Sequence, residues 1–326
     1  MQDGQGREIN YLRISVTDRC NLRCQYCMPE TGINHVGHGN ILSLEEIARL
    51  VRVGASIGIR KVRLTGGEPL VRRNLSQLVH YIHEINEIDD IALTTNGVLF
   101  ASLGDELKAV GLNRINFSLD SLVAEKFRFI TRSGDLPVVL QGIEKALELG
   151  LHPIKINTVL IKGFNDDEIM DFVALALKYP LHVRFIEFMP IGDLLFWRQD
   201  RLMTSQEIKQ RIEQEYVLEE TQKIPGSGPA SYYNIQGGLG SIGFISPMSN
   251  HFCARCNRLR MTADGKLRAC LYEQGETDLR DALKRSSNDE ELRQLFLATL
   301  RSKPQRHNMQ SGWGEDNRRK MYQIGG

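Results

Sequence analysis

The distribution of cysteines constrains this chain more than any other feature of its sequence. All six cysteines of the 326 residues fall into two groups of three, one near each end. The groups are Cys20, Cys24 and Cys27, then Cys253, Cys256 and Cys270. Gaps of two or three residues between cysteines are typical of thiolates that share a metal ion or an iron–sulfur cluster. The fold must therefore present three thiolates to an inorganic centre at each of two places.

The compartment and the overall charge restrict the partners. The first residues are polar and no apolar run approaches the roughly 20 residues of a membrane span. We therefore expect a cytoplasmic protein, in which grouped cysteines are ligands and not disulfides. The 41 basic and 40 acidic residues give a net charge of +1. This balance predicts no nucleic-acid and no membrane partner, so any anionic ligand must be held by locally clustered cations.

The first two thirds of the chain alternate short apolar strands with amphipathic helical stretches. The predicted strands are residues 11–16, 61–65, 91–95, 114–119, 154–160 and 182–188. Six βα units in series favour a parallel sheet, but they are fewer than the eight of a closed TIM barrel. The sequence thus predicts an α/β fold, a partial (βα)6 TIM-like barrel over residues 1–220, with a C-terminal α+β iron–sulfur domain over residues 221–326.

These strands alternate in polarity, although parallel strands covered on both faces should be continuously apolar. The apolar positions would face the helices, so the other face predicts a polar, cationic lumen. Its expected members are Arg13, Ser15, Arg63, Thr65, Thr94, Asn96, Asn116, Ser118, Lys155 and Asn157. The alternative is an antiparallel sheet with one face in water, which the intervening helices disfavour.

The second cysteine group lies around a predicted hairpin. Asp264-Gly265 indicates a two-residue turn, which would pair Ala263 with Lys266 and place Cys270 opposite Leu259. The hairpin would thereby return Cys270 to the neighbourhood of the other two cysteines.

Two arginines are expected beside this second group. Cys256, Arg258 and Arg260 would share one face if the strand begins at Cys256. Three thiolates leave one metal position open, and structural zinc with the adjacent His251 as a fourth ligand is the alternative to an iron–sulfur cluster.

The first cysteine group resembles the signature of the radical S-adenosylmethionine superfamily. Tyr26 directly precedes Cys27, and residues 66–69 (Gly-Gly-Glu-Pro) follow the second predicted strand. The resemblance implies that Cys20, Cys24 and Cys27 hold a [4Fe–4S] cluster, whose open iron binds S-adenosylmethionine and whose electron cleaves it to a 5′-deoxyadenosyl radical.

Further segments resemble the GTP 3′,8-cyclase family of molybdenum cofactor biosynthesis. They are residues 16–29, 64–70, 94–97, 116–120 and 184–189, the second cysteine group with Arg258-Leu259-Arg260, and the terminal Gly325-Gly326. The resemblance implies a second [4Fe–4S] cluster on Cys253, Cys256 and Cys270 that binds the guanine of GTP. It further implies removal of the ribose 3′ hydrogen and attack on C8 to give (8S)-3′,8-cyclo-7,8-dihydroguanosine 5′-triphosphate.

The same resemblance assigns the remaining site residues and partners. The S-adenosylmethionine site would comprise Tyr26, Gly67, Ser118 and Met189. The GTP site would comprise Arg13, Arg63, Thr94, Lys155, Arg258, Leu259 and Arg260. Catalytic roles would fall to Arg13, Lys155, Arg184, Arg258 and Arg260. A one-electron donor is required, a pterin-forming enzyme would take the product, and the chain would act as a monomer or homodimer.

Two other functions compete with this one. A radical S-adenosylmethionine enzyme that modifies peptides, such as a sulfatase-maturation type, could carry an auxiliary cluster, but a peptide has no evident need for so many cations. A zinc-stapled binding protein would have no redox chemistry.

Overall fold

The computed structural model describes residues 1–33, 35–191, 196–221, 224, 228–272, 275–285, 288–307 and 319–325. Its strands are β1 (Tyr11–Ser15), β2 (Lys61–Thr65), β3 (Asp90–Thr95), β4 (Arg114–Ser118), β5 (Ile154–Leu160), β6 (Leu181–Glu187), β7 (Leu218–Thr221), β8 (Ser231–Ile235), β9 (Ser241–Ile245), β10 (Arg258–Met261), β11 (Lys266–Arg268) and β12 (Thr277–Asp278). Its helices are α1 (Leu44–Ser56), α2 (Leu75–His83), α3 (Phe100–Ala109), α4 (Ala124–Thr131), α5 (Leu136–Glu148), α6 (Ile169–Lys178), α7 (Ser205–Glu213), α8 (Leu279–Arg285), α9 (Asp289–Arg301) and α10 (Met321–Ile324).

One twelve-stranded sheet organises the described chain, in the order β12-β11-β10-β1-β2-β3-β4-β5-β6-β9-β8-β7. Strands β1 to β6 are parallel neighbours, as the six βα units predict. The later strands continue this sheet at both edges, since β10 runs parallel to β1 and β9 runs parallel to β6. The second cysteine group, which adjoins β10, is thereby brought next to β1, the strand that leads to the first group.

The outer face of the sheet packs against the helices. Leu12 and Ile14 of β1, Leu64 of β2 and Phe117 of β4 are fully buried in one continuous apolar core. The residues next to them in sequence point to the other face of the sheet. The predicted alternation of apolar and polar side chains along these strands is therefore confirmed.

Helix starts follow their sequence signals. Ser43 and Glu46 form a reciprocal capping box at the start of α1, and Thr204 and Glu207 do the same for α7. Each box satisfies main-chain N–H groups that the first helical turn leaves without partners. Among the described residues, no helix combines the length and the apolar character that crossing a membrane requires.

The hairpin that carries Cys270 differs from its prediction. Arg260 pairs with Arg268 and Met261 with Leu267, which leaves a three-residue loop instead of two. Gly265 closes this loop with a φ of 81°, and its N–H donates to the Thr262 carbonyl at 3.0 Å. A type I turn followed by a left-handed glycine gives this loop length. The expected pairing of Ala263 with Lys266 is therefore wrong by one residue, and so is the alignment of Cys270 with Leu259.

Candidate active site: two cysteine-lined cavities

The first cysteine group lines a cavity at the carboxyl ends of β1 to β5. This first cavity encloses about 1020 Å³ of space, solvent at its mouth included. Its walls include Cys20, Cys24, Cys27, Tyr26, Gly67, Glu68, Thr94, Ser118, Asp120 and Met189. All four side chains or glycines expected around S-adenosylmethionine are thus beside the three thiols.

The second cysteine group lines a second cavity of similar size, about 1080 Å³. Its cationic walls are Arg13, Arg63, Arg184, Arg258, Arg260 and Lys303, which accompany Cys253, Cys256 and Cys270. No aspartate or glutamate belongs to the described residues that line it. The two cavities are neighbours, because Asn157, Ile186, Met189 and Met321 line both.

The thiols of the first group are buried and oppose one another's ionisation. Burial raises the pKa of Cys20 to about 11, and burial together with Cys20 raises that of Cys27 to about 12. Burial and the neighbouring Cys27 also raise the pKa of Cys24. Three adjacent buried thiols that oppose each other's ionisation need a bound cationic centre to become thiolates. The residues therefore fit an iron–sulfur cluster.

The second group sits in a cationic environment. Burial would raise the pKa of Cys256, but Arg258 and Lys303 outweigh it and lower that pKa to about 6. The Lys303 ammonium donates to the carbonyls of Arg258 and Ala269, at 2.8 and 2.6 Å. A cluster with three thiolates carries net negative charge, which these cations would offset.

Within the described residues, no three Cys, His, Asp or Glu side chains are arranged to hold one metal ion, as structural zinc requires. Thiols placed around a cavity fit a cluster in which each thiolate binds a different iron.

The cationic side chains of the second cavity repel one another. Burial, followed by Arg260, lowers the pKa of Arg13, and burial, followed by Arg258, lowers that of Arg260 to about 10. Arg13 and Arg260 are register partners on β1 and β10. The sheet therefore holds several guanidinium groups together before any anion arrives.

Three of the residues expected around GTP lie at other places. Lys155 is buried, but its Nζ lies 5.4 Å from the centre of the Tyr232 ring and it is not among the residues lining either cavity. Thr94 lines the first cavity, where its Oγ1 accepts from Arg63 at 3.3 Å. The Leu259 side chain is in the hydrophobic core, so only its main chain could reach a ligand.

The expected strand face of Cys256, Arg258 and Arg260 is only partly right. β10 begins at Arg258, and Cys256 ends a short 3-10 turn before it. All three residues nevertheless line the second cavity.

The C-terminal tail enters the interior. Met321 lines both cavities, Tyr322 lines the first, and Arg260 donates to the Gly325 carbonyl. A Cβ at Gly325 would lie 2.2 Å from Thr65 Oγ1, so only glycine fits there. Gly326, the other glycine of the expected tail, lies outside the described residues.

Several site residues had no prediction. Tyr11 lines the second cavity and accepts a hydrogen bond from Arg63. Asp120 accepts from Tyr26 at 2.6 Å, and burial raises its pKa to about 6. Burial likewise raises the pKa of Glu68 to about 7. The alternation of side chains along β1 could have predicted Tyr11, which shares a face with Arg13. Lys303 follows a helix, and no pattern in the neighbouring sequence indicates that it reaches the site.

A buried carboxylate joins β6 to the segment that precedes the second cysteine group. Glu187 is fully buried and accepts from the main-chain N–H groups of Ser205, Met248 and Ser249 at 2.8, 2.8 and 2.9 Å. These bonds fix the loop after β9 against the end of β6. Glu187 therefore positions the chain that leads to Cys253.

Comparisons with known proteins agree with this geometry. Residues 14–176 match the model of the Radical SAM superfamily, and residues 181–309 match Molybdenum Cofactor Synthesis C. The chain is 66% identical to the GTP 3′,8-cyclase of Syntrophomonas wolfei over 326 residues, the full length of both. The chain belongs to the GTP 3′,8-cyclase family. Other family members include the enzymes of Desulforamulus reducens, at 53% identity over 327 residues, and Moorella thermoacetica, at 52% over 326, each matched in full.

Solved structures support the fold. Streptococcus suis SuiB bound to S-adenosylmethionine has a TM-score of 0.57 at 14% identity, with 88% of this chain and 68% of that chain covered. At that identity the likeness shows the radical S-adenosylmethionine fold alone, and the partial barrel predicted for this family member is confirmed.

Proposed function

We propose that this chain cyclises GTP to (8S)-3′,8-cyclo-7,8-dihydroguanosine 5′-triphosphate, the first step of molybdenum cofactor biosynthesis. The observation that carries the proposal is the pairing of two cavities of opposite character. The first has three thiols with Glu68 and Asp120, and the second has three thiols with five arginines and a lysine.

The first cavity suits S-adenosylmethionine. Its sulfonium and ammonium are cationic, and the acidic residues of the wall can accept from or attract them. Cys20, Cys24 and Cys27 would hold a cluster, which would supply one electron for reductive cleavage of the sulfonium. Tyr26, Gly67, Ser118 and Met189 would enclose the ligand, and Asp120 would orient Tyr26 through its hydrogen bond.

The second cavity suits GTP. A triphosphate presents several anionic oxygens, and guanidinium groups bind such oxygens with paired hydrogen bonds. Arg13, Arg63, Arg184, Arg258 and Arg260 would hold the phosphates, with the guanine toward the cluster on the second cysteine group. Because Asn157 and Met189 line both cavities, the ribose would lie at their junction, where its 3′ hydrogen can be removed.

The two parts of the chain would have different roles. Residues 1–220 would generate the radical and contribute Arg13, Arg63 and Arg184 to the GTP site. Residues 221–326 would contribute the second cysteine group with Arg258 and Arg260, and β1 and β10 join the two parts. The six cysteines form no disulfide, which fits the expected cytoplasmic location. A one-electron donor and a pterin-forming enzyme that takes the product are the partners this chemistry requires, and the chain would serve them as a monomer or homodimer.

Anaerobic incubation of reconstituted protein with dithionite and S-adenosylmethionine, with and without GTP, tests the proposal. We expect 5′-deoxyadenosine to form much faster when GTP is present. Equal formation without GTP, or stimulation by a peptide and not by GTP, would reject the assignment. Metal analysis should find iron and sulfide, whereas about two zinc ions and no sulfide would favour a zinc-stapled protein.

A further inference from the structure

The outer side of the first cysteine loop rests on the end of one helix. The last carbonyls of a helix have no partner within it, and those of α4 are taken up by the loop. Arg23 N–H donates to the Thr131 carbonyl at 3.1 Å, and Gln25 N–H donates to that of Ile130 at 2.9 Å. The Gln25 side chain donates to the Phe129 carbonyl at 2.8 Å.

A return contact locks the two segments together. Arg132, which follows α4 with a left-handed φ of 64°, donates to the carbonyls of Arg23 and Met28 at 2.7 and 2.8 Å. The cysteine loop and the end of α4 therefore form one hydrogen-bonded unit, with thiols on its inner side and solvent on its outer side.

The solvent side of this unit carries an exposed aromatic residue. Phe129 is 55% exposed, and its ring lies 5.6 Å from that of Phe164 in a tilted contact. Covering a large apolar ring with a partner lowers the free energy of the complex, and aromatic residues are enriched at the centres of interfaces. We call the surface formed by Arg23, Gln25, Arg128, Phe129 and Phe164 the α4 face.

Three arginines lie at the end of α4 and in the cysteine loop, and one acidic residue, Glu125, lies one turn before Phe129 on α4. Arg128 is exposed, and Arg23 and Arg132 are half-buried with their guanidinium groups on carbonyl oxygens. Lys126, nearer the start of α4, is already paired with Asp167 at 2.6 Å. The end of α4 that meets the cysteine loop is therefore positively charged around an apolar centre, which complements an acidic protein surface.

We infer that the α4 face is the docking site of a small acidic redox protein, which delivers one electron to the cluster on Cys20, Cys24 and Cys27. The inference rests on the proposed function, which requires such a donor. The inner side of the thiols faces the first cavity, where S-adenosylmethionine is proposed to bind, so a donor must approach from outside the loop. The partner loses one electron, the cluster gains one, and no bond or proton is transferred.

Two variants of the α4 face test this inference. Phe129→Ser removes the apolar centre and Arg128→Glu reverses a charge, and neither residue lines a cavity. The controls are Leu239→Ser, which changes a side chain 68% exposed, and Lys108→Glu at the end of α3. Both controls lie toward the edge of the sheet where the strands begin, opposite the cysteine loops.

The probes are acidic bacterial flavodoxins and ferredoxins, of which one that reduces the wild-type cluster is used for all variants. We expect Phe129→Ser and Arg128→Glu each to weaken its binding about tenfold. Arg128→Glu should also slow association and reduce its salt dependence. Turnover with dithionite should stay at the wild-type level in all variants, which separates this inference from the proposed function.

Several outcomes would overturn the inference. Unchanged donor affinity in both α4-face variants, or equal losses in the two controls, would place the docking site elsewhere. Failure of every acidic donor to reduce a cluster that dithionite reduces would contradict the kind of partner. Light scattering that shows a wild-type dimer, disrupted by Phe129→Ser without loss of donor affinity, would make the face an interface between two copies of this chain.

Discussion

Replacing Lys155 with methionine should stabilise the folded protein, and more so at neutral than at alkaline pH. Lys155 is 4% exposed on β5. Burial, followed by Arg184 and Arg114, lowers the pKa of its ammonium to about 5. The Tyr232 ring, 5.4 Å from Nζ, favours the charged form, but burial and the neighbouring guanidinium groups outweigh it.

The size of the effect follows from that pKa. In the unfolded chain the ordinary pKa is 10.5, so between about pH 5 and 10.5 the unfolded state binds one more proton than the folded state. Stability therefore rises with pH across this window. At 1.36 kcal/mol per pKa unit, the neutral lysine costs at most about 5 kcal/mol at pH 7 and about 2 kcal/mol at pH 9. Methionine has a similar length and no such penalty.

The assay is anaerobic urea unfolding at pH 7 and pH 9. Lys155→Met should raise the free energy of unfolding, by more at pH 7 than at pH 9. Lys178→Met is the control, because Lys178 also lies over a tyrosine, 5.0 Å from the Tyr179 ring, but is exposed. A variant less stable than wild type at both pH values would refute the view that burial of the Lys155 amine destabilises the folded protein.

Three further substitutions test separate parts of the site. Arg260→Ala should weaken GTP binding about 10- to 100-fold, as expected for lost charge-assisted hydrogen bonds. Iron and sulfide analysis should still find both clusters. Loss of the second cluster would contradict the role of Arg260 in holding GTP. Glu187→Ala leaves three main-chain N–H groups without their acceptor. It should destabilise the protein by about 3 kcal/mol and selectively deplete the second cluster. Equal loss of both clusters would contradict the role of Glu187 in positioning the chain that leads to Cys253. Arg319→Ala removes the ion pairs to Asp264 and Glu276, at 2.8 and 3.0 Å, that anchor the tail; hydrogen exchange should increase in α10, and unchanged exchange there would show that the tail is held by other contacts.

Local sequence patterns were sufficient for the lumen. Residue alternation along β1 and β2 placed Arg13 and Arg63 on one face and Leu12 and Leu64 on the other, and the structure confirms both faces. This works because the side-chain period of a strand is two, so one buried face fixes the other.

Long-range pairing could not be read in the same way. Nothing local in β9 or β10 indicates that they join the two edges of the barrel sheet, because strand pairing depends on the whole chain. The Asp264-Gly265 dipeptide is compatible with loops of two or three residues, since both place the glycine at positive φ. The ion pairs of Arg319 and the carbonyl contacts of Lys303 join residues distant in sequence, so they also required the structure.

Transfer of deuterium from GTP labelled at the ribose 3′ position reports whether the ribose between the two cavities loses its 3′ hydrogen to the adenosyl radical. Reconstituted protein is incubated anaerobically with dithionite, S-adenosylmethionine and the labelled GTP, and the 5′-deoxyadenosine is analysed by mass spectrometry. Each turnover should move one deuterium into 5′-deoxyadenosine and yield a cyclised nucleoside triphosphate. Unlabelled 5′-deoxyadenosine formed alongside that product would contradict this expectation, because the ribose at the junction of the two cavities would then not be the source of the hydrogen.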